Sequence, residues 1–249
     1  MNGQNSSEDN SVKSPIVRMI TLLFLMLALF SLNACQGGPP AALSHRSGPG
    51  PAQMPFLPGT LGTPSSNMRT ISYSNDDISI SMDIPARWES YDTDSGFLLA
   101  EHASSVVMAQ KLRGLVLHVF TRPDSEFDLS ADAPNRAWAV LDQITNDPLL
   151  VGNALYTEPS AFQLGEHDAA YYLLNNRDRT VSLLLAFYAE GQNQLVFCHF
   201  SAQDKESGRI RGMMSHLLAN LKINGEALDL APIYRLPNPL VFPIDVSTS

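Results

Sequence analysis

Ile78, Ile80, Met82 and Ile84 alternate with Ser79, Ser81 and Asp83, the period of two that a strand with one wet face requires. Pro85 follows and, lacking an amide proton to donate, ends the strand. Further strands read in FLLAEH, SVVMA and GLVLHVF, and after a gap in AFQLG, AAYYLLN, TVSLLLAFYAE and QLVFCHFSA. The loops NNRDR and EGQN separate the last three, which predicts hairpins and antiparallel neighbours. TVSLLLAFYAE is apolar on both faces, so that strand must be covered from both sides.

Two helical patterns are available as cover. The first starts near Asp132 as N-cap with Pro134 in its first turn, carries Ala137, Trp138, Leu141 and Ile144 on one stripe, and closes at Asn146-Asp147-Pro148. The second starts near Asp204, places Ile210, Met213, Met214, Leu217, Leu218 and Leu221 at helical spacing, and stops at Asn224-Gly225. Met213 and Met214 lie on that stripe and read as core rather than as a soft binding surface. Together these elements predict one α+β domain over residues 68–225, a size that buries about 68 to 70% of its unfolded surface.

Ahead of the domain the pattern changes. The run MITLLFLMLALFSL, residues 19–32, follows Lys13 and Arg18 and precedes Ala34. It is shorter than the roughly 20 apolar residues that cross a bilayer as a helix, and has the length of a signal-peptide apolar region. Glu8 and Asp9 dilute the positive charge before it; a start codon further downstream accounts for them. Leu32-Asn33-Ala34-Cys35 resembles the lipobox of bacterial lipoproteins. That resemblance implies that residues 1–35 are a signal segment and that Cys35 takes a diacylglyceryl group and becomes the new N-terminus. An uncleaved signal anchor and an ordinary secretory signal are the alternatives. Gln36, where an aspartate favours inner-membrane retention, leaves an outer-membrane address open by the same resemblance.

Residues 36–67 begin QGGPPAALSHRSGPGPAQMPFLPGTLGTPSS, in which 13 of 31 positions are proline or glycine. Such a stretch buries too little to offset its chain entropy and is expected to be a disordered tether. At the other end, residues 226–249 form an apolar tail, APIYRLPNPLVFPIDVSTS in its last part, with four prolines. It either wraps its own domain or docks on a partner's groove or sheet edge.

Charge and cysteine count narrow the class. The chain holds 25 acidic and 16 basic residues, a formal net charge of -9, and loss of residues 1–35 removes two of each sign. This balance argues against nucleic-acid binding and against electrostatic adhesion to anionic lipid. With Cys35 lipidated, Cys198 stands alone and reads as a small buried hydrophobe; a Cys35 to Cys198 disulfide is the competing assignment.

The strand SYSN, its hairpin into ISISMDIPARW, the mid-chain helix, three long strands and a final helix ending LKI together resemble the PsbP-like fold. The likeness covers residues 71–223 and centres on the strand followed by Pro85, Arg87 and Trp88. It implies an antiparallel sheet sandwiched between helices. The same fold serves photosystem II accessory proteins, a Ran-binding transport factor and many exported bacterial lipoproteins. The resemblance therefore implies an accessory or protein-binding role without catalytic residues or cofactor, and no site residues carry over from it.

Chemistry is sparse. G-x-S-x-G, H-E-x-x-H, Walker, G-x-G-x-x-G and C-x-x-C motifs are missing from the sequence. His118 in VLHVF and His199 in FCHFS lie in strands; paired in register, their rings share a face, and with a carboxylate such as Glu101 they offer zinc ligands. The alternative is two separate histidines, half-buried or facing solvent. Glu166-His167-Asp168 has the residue types for acid-base work but falls at a turn where charges are solvated. Arg87 either stacks on Trp88 or faces water while Trp88 plugs the sheet. The expectation is a lipid-anchored envelope protein, non-enzymatic, bound to the membrane through Cys35 and to an envelope protein. A hydrolase or metal enzyme built on the strand histidines is the alternative.

Overall fold

The computed structural model describes residues 67–107, 112–129, 132–152, 154–176, 178–189 and 191–244. The signal segment, Cys35 and residues 36–66 of the expected tether lie outside the described residues. Within them the strands form two antiparallel sheets. The smaller has the order β1 (Met68–Ser74), β2 (Ser79–Pro85), β11 (Leu221–Ile223), β12 (Glu226–Ala227). The larger runs β3 (Glu89–Thr93), β4 (Gly96–Ala100), β5 (Val116–Pro123), β10 (Gln194–Gln203), β9 (Thr180–Ala189), β8 (His167–Asn175), β6 (Leu155–Tyr156), with β7 (Ser160–Leu164) also on β8. Four helices complete it: α1 (Ser104–Val107), α2 (Arg136–Thr145), α3 (Pro148–Val151) and α4 (Gly208–Leu218).

β9 divides the interior. Its odd positions Val181, Leu183, Leu185, Phe187 and Ala189 enter one apolar core, while Leu184, Ala186 and Tyr188 enter the other. Alternation along a strand makes this division unavoidable once both faces are covered. The first face is closed by the smaller sheet through Ile78, Ile80, Met82 and Ile84, by α4 through Ile210, Met214, Leu217 and Leu218, and by Trp88. The second is closed by α2 through Ala137, Val140 and Leu141. One sheet between two helices was expected; a second sheet takes most of the first face, and the protein is more β-rich than that.

Several local expectations give way to longer-range constraints. Ser105, Val106 and Val107 of SVVMA lie in helix α1 instead of a strand: β4 and β5 pair with each other, so the chain between them must reverse. Ser105 Oγ clasps that reversal by donating to the Arg113 carbonyl and accepting the Arg113 amide. The N-cap of α2 is Asn135, not Asp132. Its side-chain oxygen accepts the Trp138 amide, and its nitrogen donates to the carbonyls of Phe162 and Ala169, so the cap also pins the helix to β7 and β8. α4 ends at Leu218 rather than at Asn224. Leu221 falls in β11, and Asn224 and Gly225, both at positive φ, form the β11–β12 turn.

Residues 226–244 of the tail belong to the fold. Leu230, Ile233, Leu236 and Leu240 are buried in the first core, so a boundary at residue 225 leaves out side chains that the core uses. Arg211 on α4 straps the segment down. Its guanidinium donates to the carbonyls of Tyr234, Leu236 and Pro237.

Candidate functional site

The β5–β10 register sets His118 directly opposite His199. By alternation both rings lie on the α2 side of the large sheet, with Phe120 and Phe197. The His118 ring lies 4.7 Å from the Phe120 centroid, and Phe120 stacks on Phe197 at 4.9 Å. Both histidines are half-buried as residues, yet their rings are walled in. Burial pulls each down to about 4, helped for His118 by repulsion from Arg122 and from the protonated form of His199. Both are therefore neutral at pH 7. His199 Nε2 lies 3.3 Å from Ser201 Oγ, which shares a 2.9 Å hydrogen bond with Ser182; His118 Nε2 is buried with no hydrogen-bond partner.

Glu101 does not join them. It sits just past β4, where its carboxylate accepts the Leu115 amide and pairs with Arg209 of α4 at 2.8 Å, on the side of the sheet that α4 covers. Burial alone would raise its pKa, but the Arg209 hydrogen bond, the Leu115 amide and the Arg209 charge together hold it below the usual carboxylate value. The expected zinc set of His118, His199 and Glu101 is therefore not assembled. Among the described residues no group of three or more His, Cys, Asp or Glu stands close enough to hold a metal.

The other candidates have structural work. His167 Nδ1 lies 3.1 Å from the Tyr188 carbonyl. Asp168 accepts from the Arg136 amide and the Gln163 side chain, and the Arg136 guanidinium lies over the Tyr188 ring at 4.5 Å. Trp88 is 1% exposed whereas Arg87 is exposed, which matches the reading of a plug beside a solvated arginine. Cys198 is buried and bonded to no other cysteine among the described residues, its thiol pushed up by burial and so unreactive at neutral pH.

The two ends of the strands differ in a way that single motifs do not reveal. One end carries Asp76 and Asp77 after β1, Asp94 in the β3–β4 hairpin, Asp124 and Glu126 after β5, Glu166 and Asp168 at the β7–β8 turn, and Glu226 and Asp229 after β11. Among the described residues Arg122, Arg136 and Lys222 oppose these nine. At the other end Arg69, Arg87, Arg113, Arg179, Lys205 and Arg209 are interspersed with a similar number of acids. Most of the net negative charge is thus at one pole.

No family model matches the chain, and no curated protein sequence matches it. Solved structures similar to it include the cyanobacterial PsbP (CyanoP) of Synechocystis sp. PCC 6803, 12% identical over 67% of this chain and 98% of that one, with a TM-score of 0.38. The Ran-binding protein Mog1p of Saccharomyces cerevisiae is 9% identical over 60% and 84%, TM-score 0.38. LpqN, involved in cell envelope biogenesis of Mycobacterium tuberculosis, is 11% identical over 64% and 92%, TM-score 0.39. At these scores the likeness carries nothing about function; the strand order and register above stand on this chain's own hydrogen bonds.

Proposed function

We propose that the chain is an exported, lipid-anchored accessory protein of a bacterial envelope, held by Cys35, whose folded domain binds another envelope protein without catalysing a reaction. The observation that carries the non-catalytic part is the engagement of the candidate catalytic groups. Glu101 is tied to Arg209, His167 lies against the Tyr188 carbonyl, Asp168 holds the start of α2, and the two strand histidines face each other with no carboxylate between them. A general acid or base has to be within hydrogen-bond reach of a substrate atom, and these groups are turned to the fold. The anchoring part rests on the sequence: a 14-residue apolar run followed by Leu32-Asn33-Ala34-Cys35. Two or more acyl chains give stable attachment where one gives only marginal attachment.

Cys35→Ala tests the anchor. The variant is expected to stay at precursor size and to leave the membrane fraction. If it is processed and sediments with membranes as the unaltered protein does, the lipoprotein reading fails.

A further inference from the structure

We propose that the end of the domain opposite the acidic pole is a docking surface for a phospholipid bilayer, a proposal that rests on the reading of Cys35 as an anchor. Three observations bear on that end. First, the chain enters the fold at residue 67, next to Met68, whose register partner is Pro85; the anchor segment therefore joins the domain at this end. Second, large exposed apolar side chains gather at the other edge of this end, at β6, across the large sheet from β3, beside which Arg69 holds the start of β1. Leu155 and Tyr156 of β6 pair with Asn175 and Leu174, and Asn175 donates to the Pro243 carbonyl, which brings Val241 and Ile244 to the same corner. Tyr156 is 42% exposed and Ile244 is 73% exposed. Third, the charges of this end taken as a whole are nearly balanced, whereas among the described residues the far end carries nine carboxylates against Arg122, Arg136 and Lys222.

The 31 residues between Cys35 and residue 67 can span at most about 100 Å, a length that by itself leaves every orientation of the domain open. The surface then decides. An anionic leaflet repels the acidic pole within a Debye length, while tyrosine and branched aliphatic side chains gain free energy at the headgroup boundary. The net charge of -9 argues against adhesion only if it is spread evenly. With the charge at one pole, the same total orients the domain, apolar end down and acidic end out. A phospholipid surface is favoured over a protein because the anchor keeps the whole domain near the bilayer at high local concentration, and the charge asymmetry then turns this end toward it.

The test uses the mature chain on vesicles of phosphatidylethanolamine and phosphatidylglycerol containing doxyl-labelled lipid. A polarity-sensitive fluorophore is placed at Tyr156→Cys or at Glu226→Cys, buried Cys198 being inaccessible to the reagent. Quenching about threefold greater at position 156 than at 226 is expected for an interfacial site, with the difference lost in Val241→Asp, Ile244→Asp. Equal quenching at both positions overturns the proposal. So does a label at 156 that is shielded only when the protein concentration is raised, which assigns this end to a protein contact. A parallel sample, the chain from residue 36 held to nickel-chelating lipid by an N-terminal histidine tag, separates the two readings. Docking there, together with failure of Cys35 to be lipidated, sinks the anchor and leaves the surface; lipidation without docking does the reverse.

Discussion

The two faces of the large sheet are built from the same strands and closed by different means. The first is sealed by a second sheet, a helix, Trp88 and the tail, and its core positions are almost all aliphatic or aromatic. The second is covered by α2 over β8 and β9, and toward β5 and β10 it grades into half-buried Phe120, His118 and His199. What the difference teaches is where the stability and the titratable groups reside. Burial on the first face is worth about 1.5 to 3 kcal/mol per large side chain, whereas the second face accommodates two imidazoles that burial keeps neutral well below the ordinary value of 6.5.

The largest expected effect is on the first face. Trp88→Ala should lower stability by about 3 to 5 kcal/mol, the range for emptying a large buried aromatic site, read as a shift in the urea midpoint. An unchanged midpoint would move Trp88 from core to surface. Next comes the tail: Ile233→Ala should cost about 2 to 5 kcal/mol, and full stability in that variant would mean that residues 226–244 dock elsewhere.

The tail also shows what the sequence could and could not reveal. Its apolar residues were visible, but prolines erase any period, so nothing local said which surface they meet. Arg211, whose side chain holds three tail carbonyls, looks like any solvated helical arginine. By contrast Ile78 to Ile84, the doubly apolar β9 and the loops NNRDR and EGQN were legible because alternation and turn length are local properties. Leu221 misled for the opposite reason: it continues the helical stripe of α4, yet pairing with Met82 of β2 draws it into a strand. At the candidate site, the facing of His118 and His199 followed from register, while the loss of Glu101 to Arg209 depended on a residue 108 positions away.

The second face sharpens the comparison through pH. An imidazole whose folded pKa is lowered to about 4 from an ordinary 6.5 binds its proton less readily in the folded state than in the unfolded one. Stability is therefore fully present above the unfolded value and falls as the pH drops from about 6.5 toward 4, with a slope of about 1.4 kcal/mol per pH unit for each histidine. Urea titrations between pH 7 and 4.5 should show this slope, reduced in His118→Phe and in His199→Phe. Equal slopes in all three proteins would mean that the rings are solvated. The smallest effect belongs to the rim: Glu101→Gln breaks a pair whose arginine side chain is 43% exposed, so the loss should be about 1 kcal/mol or less and should shrink further in high salt.

Membrane attachment through Cys35 underlies both the proposed role and the docking end. Intact-mass and N-terminal peptide analysis of the protein extracted from membranes addresses it directly. The account predicts a mature chain that begins at Cys35 and carries a diacylglyceryl thioether there. A chain that begins upstream of Cys35, or a Cys35 recovered as a free thiol or in a disulfide with Cys198, would contradict it.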